Sequence, residues 1–376
     1  MCAGSAFSQQ QPAGKKNENK SNGVKIHQEN TPKTSVPEKT NNIEQVEQKT
    51  SVTQPNALRS EAKKFCDVFK TYEEPSQFYT VPAHEVGKVQ GKAGTLISIN
   101  PDDLTTLTNQ DVDSSIEVEL KELINQQQLL KSNAQTVCDG KLLVSGGAYF
   151  VNLKSQGQPL KLKPGRGLSI QFPKNTDLPM ALFSGYRDSL WQMQWSRRNQ
   201  VFRENGPAEA WRDSRNVKIE SEGDVLLFDT IPTRKPKKQT DQEKQKSESY
   251  AKLYAAMEIQ NLGWINCDRF YNIPDKTNVS IKLQNEEPVP FTSIYLIFDE
   301  INSIVQTHYG KMPDETSNPG FENIPVGAKA RLVAFALKGD KMMAYEMPVT
   351  IRRNDQLDVL LKEVSEEELK TLLEKK

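Results

Sequence analysis

Ile116-Glu117-Val118-Glu119-Leu120-Lys121 sets apolar side chains at every second position with charges between them. A period of two gives one hydrophobic face and one wet face, the pattern of a half-buried strand. Upstream, Thr95-Leu96-Ile97-Ser98-Ile99 alternates in the same way, and Asn100-Pro101-Asp102-Asp103 ends it with turn chemistry. Downstream, Leu142-Leu143-Val144-Ser145-Gly146-Gly147-Ala148-Tyr149-Phe150-Val151 is a third run, whose glycine pair points to a bulge or a close backbone approach. Leu160, Leu162, Leu168, Ile170 and Phe172 supply two more short strands around Pro164-Gly165. Strands at this spacing, with little helical periodicity among them, predict an antiparallel sandwich over residues 61–175.

The same alternation returns further along. Leu253, Ala255, Met257 and Ile259 lead into Trp264 and Ile265; Val279, Ile281 and Leu283 follow, then Ile294, Leu296 and Phe298. Gly339-Asp340 reads as a two-residue hairpin turn between two final strands. Residues 249–352 are therefore expected to form a second antiparallel sandwich. Leu357, Leu360, Leu361, Val364, Leu369, Leu372 and Leu373 make a helical stripe, and residues 353–376 are assigned to a C-terminal helix, within which Ser365 and Glu368 are spaced as a capping box that would start a new helix there. Order is expected to begin near Glu61, with a short helix carrying Phe65, Val68, Phe69 and Tyr72. Residues 126–131 read equally as a helical turn or an extended crossover. Residues 176–248 form an aromatic-rich junction and a polar loop, the charge run 233–249 being a solvated insertion.

Residues 1–60 read as a leader remnant and a disordered tether. From Gln9 to about Ser60 there is no aromatic residue, and such a tract cannot bury enough surface to offset its ordering entropy. Met1-Cys2-Ala3-Gly4-Ser5-Ala6-Phe7-Ser8-Gln9 has three readings. Cys2 is a lipid-anchor cysteine; or Ala6 and Ser8 mark a cleavage site before Gln9; or this is an ordinary chain start. Of the remaining cysteines, Cys66 and Cys138 pair in a disulfide, or Cys66, Cys138 and Cys267 are all small buried hydrophobes. The fold class is thus mainly β: two antiparallel β-sandwich domains with a disordered N-terminal tail and a C-terminal helix.

Gly91-Lys92-Ala93-Gly94-Thr95-Leu96-Ile97-Ser98-Ile99-Asn100-Pro101-Asp102-Asp103-Leu104, followed by the Val118-Glu119-Leu120 strand, resembles the opening of a ZU5 domain, the β-sandwich module of ankyrins and netrin receptors. The resemblance implies a scaffold or interaction module. Some ZU5-containing proteins cut themselves at a His-Phe-Ser type site; here His84 precedes Glu85 and His308 precedes Tyr309, so no catalytic residue is carried over. Together with Leu262-Gly263-Trp264-Ile265-Asn266-Cys267-Asp268-Arg269-Phe270-Tyr271, the chain also resembles uncharacterised exported envelope proteins of Gram-negative bacteria.

Lys plus Arg and Asp plus Glu number 49 each, so no net field draws the 376-residue chain to nucleic acid. No run of about 18 apolar residues is present. The three histidines, His27, His84 and His308, stand in no nucleophile motif, and only Cys138 or Cys267 with His84 or His308 offers a Cys/His combination. Metal-ligand spacings and phosphate-cradling glycine loops are missing, so neither a metal nor a cofactor is expected. Trp191, Met193 and Trp195 alternate, with Trp211 and Arg197-Arg198 nearby. This aromatic group is either core at the lip between two domains or an exposed stacking platform. The expectation is a non-enzymatic, exported binding or scaffold protein of the cell envelope, in the periplasm or at the outer membrane. Its partners are envelope proteins, with the membrane reached through Cys2 if that residue is acylated. The competing class is an envelope hydrolase of glycan or peptide, working at the cluster of Trp191, Trp195 and Trp211.

Overall fold

The structure, a computed structural model, describes residues 54–176, 178–201, 253–254, 257–287, 289–310 and 319–375. Its first sandwich faces a large sheet against a small one. The large sheet runs in the order β1 (Gln77–Val81), β5 (Ile116–Leu123), β7 (Lys141–Ser155), β13 (Gly263–Phe270), β10 (Ala181–Arg187) and β11 (Met193–Val201), with β4 (Leu104–Thr106), β6 (Val137–Cys138) and β8 (Gln158–Leu162) attached at its margins. The small sheet is β12 (Met257–Ile259), β9 (Leu168–Gln171), β3 (Leu96–Ile99) and β2 (Gly87–Gln90). Between them lie Ile97, Ile99, Ile116, Val118, Leu120, Tyr149 and Phe172, so the alternating residues of the opening stretch do face a common core.

A buried carboxylate pins the two sheets together at one corner. Glu122 accepts from Gln77 Nε2 at 2.9 Å and from the backbone amides of Ala93 at 2.8 Å and Thr95 at 3.1 Å. The loop before β3 can wrap this closely only because residue 91 has no side chain: a Cβ there would stand 2.6 Å from the carboxylate. Gly91→Ala is therefore expected to cost about 1–3 kcal/mol, the range for forcing an extra carbon into a packed site. Denaturant melts would measure it, and a loss below about 0.5 kcal/mol would mean that the clamp gives way freely.

The second sandwich pairs a three-stranded sheet, β17 (Gly320–Pro325), β14 (Lys276–Leu283) and β20 (Gln356–Val359), with a five-stranded one. The latter runs β16 (Ile304–Tyr309), β15 (Thr292–Phe298), β18 (Lys329–Lys338), β19 (Lys341–Thr350) and β21 (Lys362–Glu363). Lys338 pairs with Lys341 across Gly339, at φ +63°, and Asp340, as the turn chemistry requires. One pair, β14 with β20, is parallel. All seven residues of β15 are buried, because both faces of its sheet are covered.

The second cover is a layer shared by both sandwiches. Helix α1 (Gln54–Phe69) contributes Leu58, Ala62, Phe65 and Phe69, α2 (Gln126–Lys131) gives Leu129 and Leu130, and α3 (Glu366–Glu374) gives Leu369 and Leu373. These meet Phe183, Met193 and Trp195 of the first sandwich and Tyr295, Val333 and Phe335 of the second. Ser365 caps α3 in the expected box with Glu368, and Arg331 holds its far end by donating to the carbonyls of Leu372 and Lys375, each at 3.0 Å.

Several boundaries differ from the sequence reading. Residues 257–270, assigned above to the second sandwich, form β12 and β13 of the first, with β13 inserted between β7 and β10. The alternating pattern marks a strand's buried face but carries no label for its partner. Helix α3 starts at Glu366 rather than near residue 353, since Leu357 and Leu361 are drawn into the second core instead. Helix α1 already runs at Gln54, ahead of Glu61. Residues 126–131 are helical, with Asn125 as the N-cap. Cys66, Cys138 and Cys267 are free and buried, so the Cys66–Cys138 disulfide does not form; the Cys138 thiol instead lies 3.6 Å from Asp139 Oδ2. The tether expected over residues 9–60 lies, up to residue 53, outside the described residues, as do Cys2, Trp211 and the charge run. Among the described residues no helix is long and apolar enough to cross a membrane.

Candidate interaction surface

On the face of the large sheet that turns toward the shared layer, antiparallel register aligns one lateral row. Lys121 of β5 lies opposite Phe150 of β7, Phe150 opposite Trp264 of β13, Trp264 opposite Gly185 of β10, and Gly185 opposite Trp195 of β11. The Trp195 ring covers Gly185 so closely that a Cβ at residue 185 would collide with it. Phe150 and Trp264 touch with centroids 5.3 Å apart, and the Arg187 guanidinium lies 5.3 Å above the Trp264 ring. Lys121 closes the other end of the row in an ion pair with Glu73.

Trp195 and Trp191 have separate fates. Trp195 is buried at 3% exposure, and its indole Nε1 donates to the Gln135 carbonyl at 2.6 Å. It belongs to the core between the sandwiches, the packing reading of the aromatic group. Trp191 precedes β11, in the turn of the β10–β11 hairpin, with φ +63°. Asp188 ties that turn by accepting from the amides of Leu190 at 2.9 Å and Gln192 at 3.0 Å and from Gln194 Nε2 at 2.8 Å. Left-handed backbone favours glycine, so a tryptophan there carries strain of order 1 kcal/mol that the braced turn imposes. The ring rests partly buried against the shared core, with Lys70 Nζ 4.7 Å from its centroid.

Behind the turn, polar groups join the two sandwiches. Arg187 donates to the carbonyls of Asn133 at 2.7 Å and Trp191 at 3.0 Å, and also to Ser132 at the C-terminal end of α2. Burial holds its guanidinium below the usual arginine value, an effect that Glu73 opposes. Asn133 Nδ2 donates to the Trp191 carbonyl at 3.0 Å, while its Oδ1 accepts from Tyr295 Oη at 2.7 Å. Ser293 Oγ donates to Tyr295 Oη at 2.8 Å and accepts from Gln306 Nε2 at 2.8 Å. Gln192 Nε2 meets His308 Nδ1 at 3.1 Å. Each is a bond between neutral or singly charged groups in a buried seam, where a lost partner is costly.

The acids around the surface are already engaged. Glu73 pairs with Lys121, Glu119 accepts from Ser76 Oγ at 2.9 Å and Asn152 Nδ2 at 3.3 Å, and Asp188 holds its turn. Cys138 and Cys267, considered above as nucleophiles, are poor ones, and Cys66 is no better. Burial pushes the Cys66 thiol up to about 12 and the Cys138 thiol up to about 11, the latter aided by Asp139, and burial raises Cys267 well above the ordinary range. All three stay protonated near neutral pH, and the thiolate is the reactive form. His84 is exposed on a loop, and His308 engages Gln192 and stacks on Phe291 at 6.1 Å. Among the described residues no group of three or more His, Cys, Asp or Glu side chains is placed to hold a metal ion.

Sequence reasoning picked Trp191 and missed Lys70, Phe150, Arg187 and Trp264. These come from four separated segments, and only strand register makes them neighbours. No protein-family model, curated protein or solved structure matches the chain.

Proposed function

We propose that this chain is a non-enzymatic binding or scaffold protein of the cell envelope, working through protein contacts made by the surface around Trp191. One observation carries this reading. A strained backbone position, where glycine would relax the turn, is given to a large aromatic side chain and braced by Asp188. Strain of that kind persists where the surrounding structure fixes a side chain in place, often at functional sites, and tryptophan is among the residues most enriched in contact hot spots. The resemblance of residues 91–104 to a ZU5 opening supports a scaffold role, and the small-residue start with Cys2 supports export and anchoring.

The test places a photo-crosslinking amino acid at position 191 in the chain made in its own cells from the full reading frame. A discrete envelope-protein adduct, lost on Lys70→Glu, is expected. Trp191→Gly should abolish the contact while leaving stability within about 1 kcal/mol of wild type, because relief of the left-handed strain offsets much of the lost packing and of the freedom that glycine adds to the unfolded chain. Turnover of wall fragments by the purified chain, stopped by a single carboxylate or cysteine substitution, would overturn the reading in favour of a hydrolase. Intact-mass analysis of the same material reads the anchor: an acyl mass on Cys2 supports it, and an unmodified Met1 start removes it.

A further inference from the structure

The opposite face of the same sheet, turned toward the first core, carries a cleft of about 340 Å³ beside β10, β13 and β12. Leu182, Ile259 and Ile265 form its floor, and Ser184, Arg198 and Asn261 stand on its rim. The floor side chains belong to the packed core of the first sandwich, so the cleft is a rigid, preformed feature. Its volume lies at the lower end of small-molecule sites, roughly 300–1,000 Å³, and its apolar base with a few placed polar groups is their usual make-up.

Arg198 gives the cleft its chemistry. The residue is exposed, and among the described residues no carboxylate pairs with it. Its position is nonetheless set: with the Asn261 amide oriented so that its nitrogen donates to the Gln260 carbonyl at 3.1 Å, the Asn261 oxygen accepts from Arg198 Nη2 at 2.9 Å. One edge of the guanidinium is therefore held by a neutral acceptor, and no carboxylate among the described residues compensates the charge. A planar guanidinium offers two parallel N–H groups, which match the two oxygens of a carboxylate.

We propose that this cleft binds a small amphiphilic carboxylate, with the carboxylate on Arg198 and a short alkyl body over Leu182, Ile259 and Ile265. Such a ligand satisfies the lone charge and covers the apolar base at once. Among the described residues the rim adds an amide and a hydroxyl, Asn261 and Ser184, and no lysine or second arginine to collect a dianion such as phosphate. This site is independent of the Trp191 surface and stands or falls separately from the function proposed for it.

Isothermal titration of the full chain with octanoate as the probe tests the proposal. Saturable binding at one site is expected, weakened about tenfold or more by Arg198→Ala and to a similar degree when octanol replaces octanoate. Ser184→Phe, which fills the rim without touching the charge, should also remove binding. Circular dichroism checks that each variant keeps the β-rich fold. Absence of saturable binding at millimolar octanoate overturns the proposal, and so does equal binding by wild type and Arg198→Ala.

Discussion

Trp195→Ala is expected to lower the stability of the chain by about 3–5 kcal/mol, the range for deleting a buried large aromatic. The indole fills the shared layer between the sandwiches, lies over Gly185 and donates to the Gln135 carbonyl. Truncation would leave a cavity beside Met193 and Phe183 and an acceptor without its donor. Gln135 also bonds the Met193 carbonyl at 3.0 Å and receives the Gln306 amide at 3.3 Å, so the loss spreads into the seam that joins the two bodies. Equilibrium denaturation followed by tryptophan fluorescence and by far-ultraviolet circular dichroism would measure it. A loss below about 1.5 kcal/mol would show that the layer refills the space and that Trp195 does not hold the two sandwiches together.

Asp268→Asn is expected to stabilise the protein at neutral and alkaline pH. Asp268 is fully buried on β13; Asn266 Nδ2 donates to its Oδ2, while its Oδ1 has no hydrogen-bond partner among the described residues. Burial raises its carboxyl well above the usual range, and the nearby Ser145 and Asn266 side chains and the Gly146 amide only partly oppose this. The folded state therefore favours the protonated acid. That contribution is fully present below the unfolded value, about 3.9, and is lost as pH rises through the folded value. Asparagine keeps the shape and has no proton to lose. Thermal melts of both proteins between pH 3 and pH 9 should converge at the acid end and separate upward, with the variant the more stable. Parallel curves would mean that Asp268 is compensated by a group that the geometry does not reveal.

The position of Asp268 ties this pH dependence to the joint between the sandwiches. Ser145, its antiparallel partner on β7, exchanges bonds with Asn302 of the second sandwich: its amide donates to the Asn302 carbonyl at 2.9 Å, and Asn302 Nδ2 returns to the Ser145 carbonyl at 3.0 Å. The glycine pair at 146 and 147 makes room for this crowding. A Cβ on Gly146 would stand 2.7 Å from the Cys267 carbonyl, which is the close backbone approach anticipated from the sequence.

Local chemistry made much of this protein legible from its residues alone. Period-two alternation identifies β5 and β3 and their buried faces, Gly339-Asp340 closes its hairpin, and the Ser365–Glu368 spacing starts a helix, because each depends on residues within a few positions of one another. Tertiary structure alone decided that β13 threads between β7 and β10, that Leu357 leaves the C-terminal stripe for a strand, and that Trp195 is sealed while Trp191 stays at the rim. Alternation states which side of a strand is apolar; pairing and burial depend on segments many tens of residues away, and for β13 with β7 more than a hundred, whose contacts no local pattern encodes.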